Sequence, residues 1–71
     1  METYLSVAET AEYLNTSERF VRRLVAERRI AFHHVGRHVR FALSEVDLWL
    51  ASSRVEAIKP DDVRRHLGQV A

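Results

Sequence analysis

The sequence predicts a mostly α-helical domain carrying one small β-hairpin, and three observations lead there. Apolar residues recur at helical spacing in three stretches, near residues 6–14, 17–28 and 44–53. Between the second and third stretches the period drops to two, around Gly36. The length of 71 residues, with 46% apolar and 30% charged side chains, suits a single globular domain and not a disordered tail.

The elements follow in order along the chain. Ser6 with Glu9 forms the pattern of a capping box, and Val7, Ala8, Ala11 and Leu14 then repeat at helical spacing, with Tyr4 and Leu5 leading in. This sets a first helix over about 6–14. Asn15, Thr16 and Ser17 make a polar break of turn-forming and capping residues. From Ser17 to about Arg28, Val21, Leu24 and Val25 form one apolar stripe with Phe20 at its margin, and Glu18, Arg19, Arg22, Arg23 and Ala26 take the opposite face. Two short helices joined by so tight a turn have the shape of a helix-turn-helix.

Ile30, Phe32 and His34, then Val35 to Phe41, read as two strands about Gly36, whose freedom at positive φ suits a hairpin turn. Val39 and Phe41 alternate with His38 and Arg40, so one face of the hairpin is apolar and the other basic. A hairpin placed after the second helix is a wing, which makes the whole a winged helix-turn-helix. Ser44 with Asp47 predicts a second capping box, opening a helix through Val46, Trp49 and Leu50 to about Ser53, with Trp49 filling the core. Pro60, followed by Asp61 and Asp62, starts a last helix with Val63, Leu67 and Val70 at i, i+4 and i+7. The domain is set at 1–56 and a C-terminal helical extension at 57–71.

Composition excludes several classes of function. A chain this short buries only about 60% of the surface its unfolded form exposes, leaving little interior for a catalytic cleft. The absence of cysteine removes disulfides, thiolate metal sites and thiol catalysis together. No apolar run approaches the roughly 18 residues of a membrane span, and the opening METYLSVAE lacks the basic and apolar regions of a secretion signal. A cytoplasmic protein without a membrane partner is expected. No nucleophile–base pairing, glycine-rich phosphate loop or metal constellation is present in the sequence, so no enzyme and no cofactor are expected. His34 and His38 are four apart, a spacing that suits a metal site on a helix, but here a hairpin turn separates them.

Charge is the informative feature. The net value is only +1, yet residues 1–14 carry −3, residues 15–41 carry +5 and residues 42–71 carry −1. The central block holds seven arginines, with His33, His34 and His38 beside them. Arginine's planar fork matches phosphate and guanine edges better than the point charge of lysine. Seven such groups in 27 residues point to a polyanion met on one face.

The ordered phrases from Leu5 to Ala11, from Leu14 to Ser17, from Val21 to Val25, from Val35 to Phe41 and from Ser44 to Leu50 together resemble the excisionase family, whose winged helix-turn-helix is related to the MerR DNA-binding domain. The resemblance covers residues 4–50, about two thirds of the chain. It implies an architectural, non-enzymatic role: copies of a recombination directionality factor bind neighbouring repeats at an attachment site in double-stranded DNA and bend it. They then help a tyrosine integrase to excise. Relatives usually end the second helix in glycine with proline soon after, whereas this chain has Arg28 and Ala31. Losing that glycine costs local stability, while the adjacent Arg28 and Arg29 favour a helix C-terminus and are within the class of groups that reach phosphate. Relatives carry tryptophan or tyrosine where Val39 stands, and a small hydroxyl residue in place of Phe20.

These readings place the N-terminal half of the second helix in the major groove, where base edges are distinguishable, with Arg19, Arg22 and Arg23 as the candidates there. Glu18 either accepts from a cytosine amino group or pairs with Arg22 one turn on, the second being favoured. Thr16 and Ser17 donate to phosphate or act as caps. Arg37 at the wing tip is assigned to the minor groove or to phosphate, and Arg40 and His38 to phosphate. Two rivals share part of this account. A small winged-helix transcription regulator would make the same contacts at a promoter, although residues 51–71 are too short for the coiled coil and effector domain of a MerR activator. A protein-interaction module would use Leu48, Val63, Leu67 and Val70 and leave the arginines unexplained.

Overall fold

The computed structural model describes residues 1–57. Six elements follow one another: β1 (Tyr4–Leu5), α1 (Val7–Tyr13), α2 (Glu18–Ala26), β2 (His33–Val35), β3 (His38–Ala42) and α3 (Leu43–Ser52). The last helix expected from Pro60, with its Val63, Leu67 and Val70 stripe, lies outside the described residues, as does the extension from residue 58 onward.

Both helices of the helix-turn-helix begin as their sequences dictate. Ser6 caps α1, its Oγ accepting from the Glu9 N–H at 3.1 Å while Glu9 accepts from the Ser6 N–H at 2.9 Å. Ser17 caps α2, accepting from the Phe20 N–H at 3.1 Å. Both also end alike, each in a paired hydrogen-bond motif that turns through a left-handed residue. After α1 the Thr16 N–H reaches the Ala11 carbonyl at 2.8 Å, and Asn15 stands at φ +55°. After α2 the Arg29 N–H reaches the Leu24 carbonyl at 2.9 Å, and Arg28 stands at φ +53°.

The strands form one antiparallel sheet in the order β1-β3-β2, with β3 central. Gly36 and Arg37 make the two-residue turn of the hairpin, Gly36 at φ +64° and Val35 opposite His38. Two local expectations are corrected here. Tyr4 and Leu5 do not merely lead in, but pair with Ala42 and Phe41 of β3, a contact that local periodicity cannot reveal. Ile30 and Phe32 lie before β2 and not within it; Ile30 is a core residue.

A third correction concerns α3. The capping box expected of Ser44 and Asp47 does not form, because the helix starts two residues earlier, with Ala42 at the cap and no side-chain cap bond. Ser44, inside the first turn, instead gives its hydroxyl to the Glu2 carboxylate, which also accepts from the Ser44 N–H at 3.4 Å. An acidic group from the chain start thus serves the positive end of α3. Asp47 accepts from the Tyr13 hydroxyl at 2.5 Å and ties α3 to the end of α1.

Ala11, Val21, Leu24, Ile30, Phe41 and Val46 make up the core, with Val7, Leu14, Val25, Phe32, Val39 and Trp49 packed against it. All three helices and the central strand β3 send side chains to this cluster or its margin. Trp49 takes the packing role expected of it, half-buried, whereas Leu50 remains 48% exposed. Thr10 is fully buried inside the cluster, and its hydroxyl has no hydrogen-bond partner among the described residues.

Candidate nucleic-acid interface

The core fixes α2 and the wing on either side of an open groove of about 380 Å³. Glu18 and Arg22 line it from α2, Arg37, His38, Val39 and Arg40 from the wing, and Ser6, Val7 and Ala8 from the start of α1. An apolar hollow of about 230 Å³ adjoins it, walled by Val7, Arg22, Val25, Ala26 and Val39. Apolar side chains and arginines thus line the two hollows side by side.

Helical geometry decides which arginines share this groove. At roughly 100° per residue, Glu18, Arg22, Val25 and Ala26 stand on the wing side of α2. Arg19 falls on the outward face, and Arg23 on the far flank beside Glu27. The sequence candidates are thus divided: Glu18, Arg22, Arg37, His38 and Arg40 are brought together, while Arg19 and Arg23 lie on the same helix outside the groove lining. Thr16 and Ser17 are exposed at the turn before α2. Ser17 is engaged as the cap, which leaves its hydroxyl hydrogen free to donate.

Local carboxylates sort the cations further. Arg22 lies 3.8 Å from Glu18, the intrahelical pairing expected, with both side chains more than half exposed. Such exposed pairs hold weakly, so Arg22 can exchange Glu18 for another acceptor. Glu27 bonds Arg23 at 3.2 Å and Arg29 at 3.6 Å. The Arg23 bond, helped by Arg29, holds the Glu27 carboxyl below its usual range. Among the described residues, Arg19, Arg28, Arg37 and Arg40 have no carboxylate within 4 Å. Arg40 is half-buried and donates to its neighbour's carbonyl, Val39 O, at 2.8 Å. Its charge also reaches Glu9, whose carboxyl is lowered first by the Ser6 N–H and hydroxyl and last by Arg40.

Register explains the wing's two faces. His33 pairs with Arg40, His34 with Val39 and Val35 with His38. Because paired residues share a face and successive residues alternate, His34 and His38 point to opposite sides of the hairpin and cannot share an ion. Among the described residues no group of three or more histidines and acids lies close enough to hold a metal.

Sequence reasoning missed two contributors. The first turn of α1 supplies one wall of the groove; its capping box located the helix start, but nothing local shows that this turn faces the wing. His33 meets Glu45 of α3 at 3.2 Å and the Tyr4 ring edge-on at 5.9 Å, braces that come from β1 and α3 folding against the hairpin.

No helix among the described residues is long and apolar enough to cross a membrane. No curated protein and no solved structure matches the chain. The family model described as "Helix-turn-helix domain" matches residues 4–54, a family that includes excisionase-like DNA-binding domains. That span runs from β1 through the end of α3, and it takes in both helices, the wing and the groove between them. With three helices, a three-stranded antiparallel sheet and this match over most of its length, the chain belongs to the helix-turn-helix domain family, whose members bind double-stranded DNA.

Proposed function

We propose that this chain is a sequence-specific architectural DNA-binding protein of the excisionase type, acting without catalysis or cofactor. On this reading it works in a bacterial cytoplasm, where it occupies repeated sites next to copies of itself. It bends an attachment site there and turns a tyrosine integrase toward excision. The observation that carries the reading is the meeting of Arg22 from α2 with Arg37, His38 and Arg40 from the wing about one groove. A recognition helix and a wing that share a cationic groove can follow two adjacent surfaces of one duplex.

The roles follow from reach and chemistry. α2 fits the major groove, where Arg22 and Arg23 present forks to guanine edges and Arg19 meets base or phosphate. Glu18 holds Arg22 in the free protein and is released, or takes a cytosine amino group, on binding. Arg37 at the wing tip enters the minor groove or meets phosphate; Arg40, His38, Thr16 and Ser17 secure the backbone. One such domain covers little DNA, so occupancy comes from neighbouring copies. Bending a site of 20–30 base pairs costs on the order of 1–6 kcal/mol, which several copies together offset.

The test is a gel-shift titration on DNA fragments from the native genomic neighbourhood, with a circular-permutation bend assay on each hit. Cooperative laddering with bending at an attachment site is the expected result. A single unbent complex at a promoter would replace the excisionase role with transcription control. No shift on any fragment at low salt would remove the DNA reading altogether.

A further inference from the structure

The left-handed turns that end α1 and α2 carry very different residues. Asn15 tolerates φ +55° because its short polar side chain can bond locally. Arg28, at φ +53°, has no such relief; glycine is the residue that removes the Cβ clash there. A cation at a helix C-terminus is favourable, but Arg23 and Arg29 already place positive charge there and are both held by Glu27. Arg28 is exposed, and has no carboxylate within 4 Å among the described residues. Stability alone therefore gives no reason for arginine at this position.

Ten residues separate Glu18 from Arg28, on the order of 15 Å along the axis of α2. The major groove is about 12 Å wide. When the first turn of α2 faces base edges, its far end stands at the groove wall, where the phosphates lie.

We propose that Arg28 is a phosphate-contacting residue of the DNA interface, kept in a conformation that glycine would hold more stably. The inference rests on the DNA reading above. It makes the end of α2 a third backbone anchor, beside the helix start and the wing.

The test combines thermal unfolding with DNA binding across a salt series, for Arg28→Gly, Arg28→Asn and Arg28→Lys. Glycine relieves the strained turn and should raise Tm by roughly 4 °C, asparagine by less. Both should weaken DNA binding several-fold on every sequence and flatten the slope of log K against log salt by about 0.9, the loss of one phosphate contact. Lysine keeps the charge and should keep the slope. If the wild type binds DNA and Arg28→Gly retains its slope, the proposal is overturned while the DNA reading stands. If Arg28→Gly fails to raise Tm, the argument from strain is overturned. If the wild type binds no DNA, both readings fall together.

Discussion

Thr10 sits in the middle of α1 with no solvent exposure, and its Oγ1 has no hydrogen-bond partner among the described residues. A hydroxyl desolvated without a partner costs about 1–3 kcal/mol relative to one left in water. Valine keeps the branched shape, replaces the hydroxyl with a methyl group, and has nearly the same helix propensity as threonine. Thr10→Val should therefore stabilise the fold by about 1–3 kcal/mol. In a domain of this size each kcal/mol raises Tm by roughly 4–8 °C. Urea unfolding followed by far-UV circular dichroism should show a higher midpoint with an unchanged slope, the signature of a stability change without altered compactness. Thr10→Ser, which keeps the hydroxyl and loses the methyl, should be destabilising. An unchanged or lower midpoint for Thr10→Val would rule this gain out. It would mean that the hydroxyl is satisfied in solution, for instance by the Ser6 carbonyl one turn back.

Other outcomes follow from the same structure. Gly36→Ala meets no neighbouring atom within 4 Å, so its cost is the backbone's alone at φ +64°: about 1–2 kcal/mol by chemical denaturation, with the wing loosened. Phe41→Ala empties the centre of the core and should cost about 3–5 kcal/mol, enough to leave a domain of this size largely unfolded by circular dichroism at room temperature. Acid should destabilise the fold. Glu2 is lowered by the Ser44 hydroxyl, Glu9 by the Ser6 N–H and Glu27 by Arg23, all below the ordinary 4.5. Stability from a depressed carboxyl is complete above 4.5 and is lost as pH falls through the folded value, so Tm measured from pH 7 downward should begin to drop near 4.5. Tyr13 runs the other way. Its bond to Asp47 raises it above 10.0, so that contribution is present below 10 and lost as pH rises through the folded value, an effect that Tyr13→Phe should abolish.

Two copies of one sequence pattern show what was legible and what was not. Ser6 with Glu9 and Ser44 with Asp47 both have the spacing of a capping box, yet only the first forms one. Ser6 and Glu9 have no stronger partner, so local chemistry decides. Ser44 and Asp47 are claimed by Glu2 and Tyr13, which lie 42 and 34 residues away in sequence, and no window of local sequence includes them. The same distinction runs through the molecule. The arginine face of α2 and its apolar stripe follow from the helical period alone, and Val21 and Leu24 are buried as expected. β1 is a strand only because β3 lies beside it. The groove is legible as a list of cations, but its wall from α1, and the division of Arg22 from Arg23, require the packed structure. Arg28 was recognisable as a missing glycine, and its left-handed backbone is the physical form of that departure.

The DNA reading has α2 and the wing grip one duplex together. Its most direct test is the salt dependence of DNA binding by fluorescence anisotropy, for the wild type, Arg22→Ala, Arg23→Ala and Arg37→Ala, on one specific and one scrambled duplex. The wild-type slope of log K against log salt should lie between about −2 and −5 per monomer, spanning contacts from the two wing arginines alone up to all six assigned arginines, Arg28 included. Arg37→Ala should flatten that slope by about 1 on both duplexes. Arg22→Ala and Arg23→Ala should each narrow the preference for the specific duplex, by about 1–3 kcal/mol where a bidentate guanine contact is lost. Salt-independent binding, or a slope and a preference that survive all three substitutions, would contradict it.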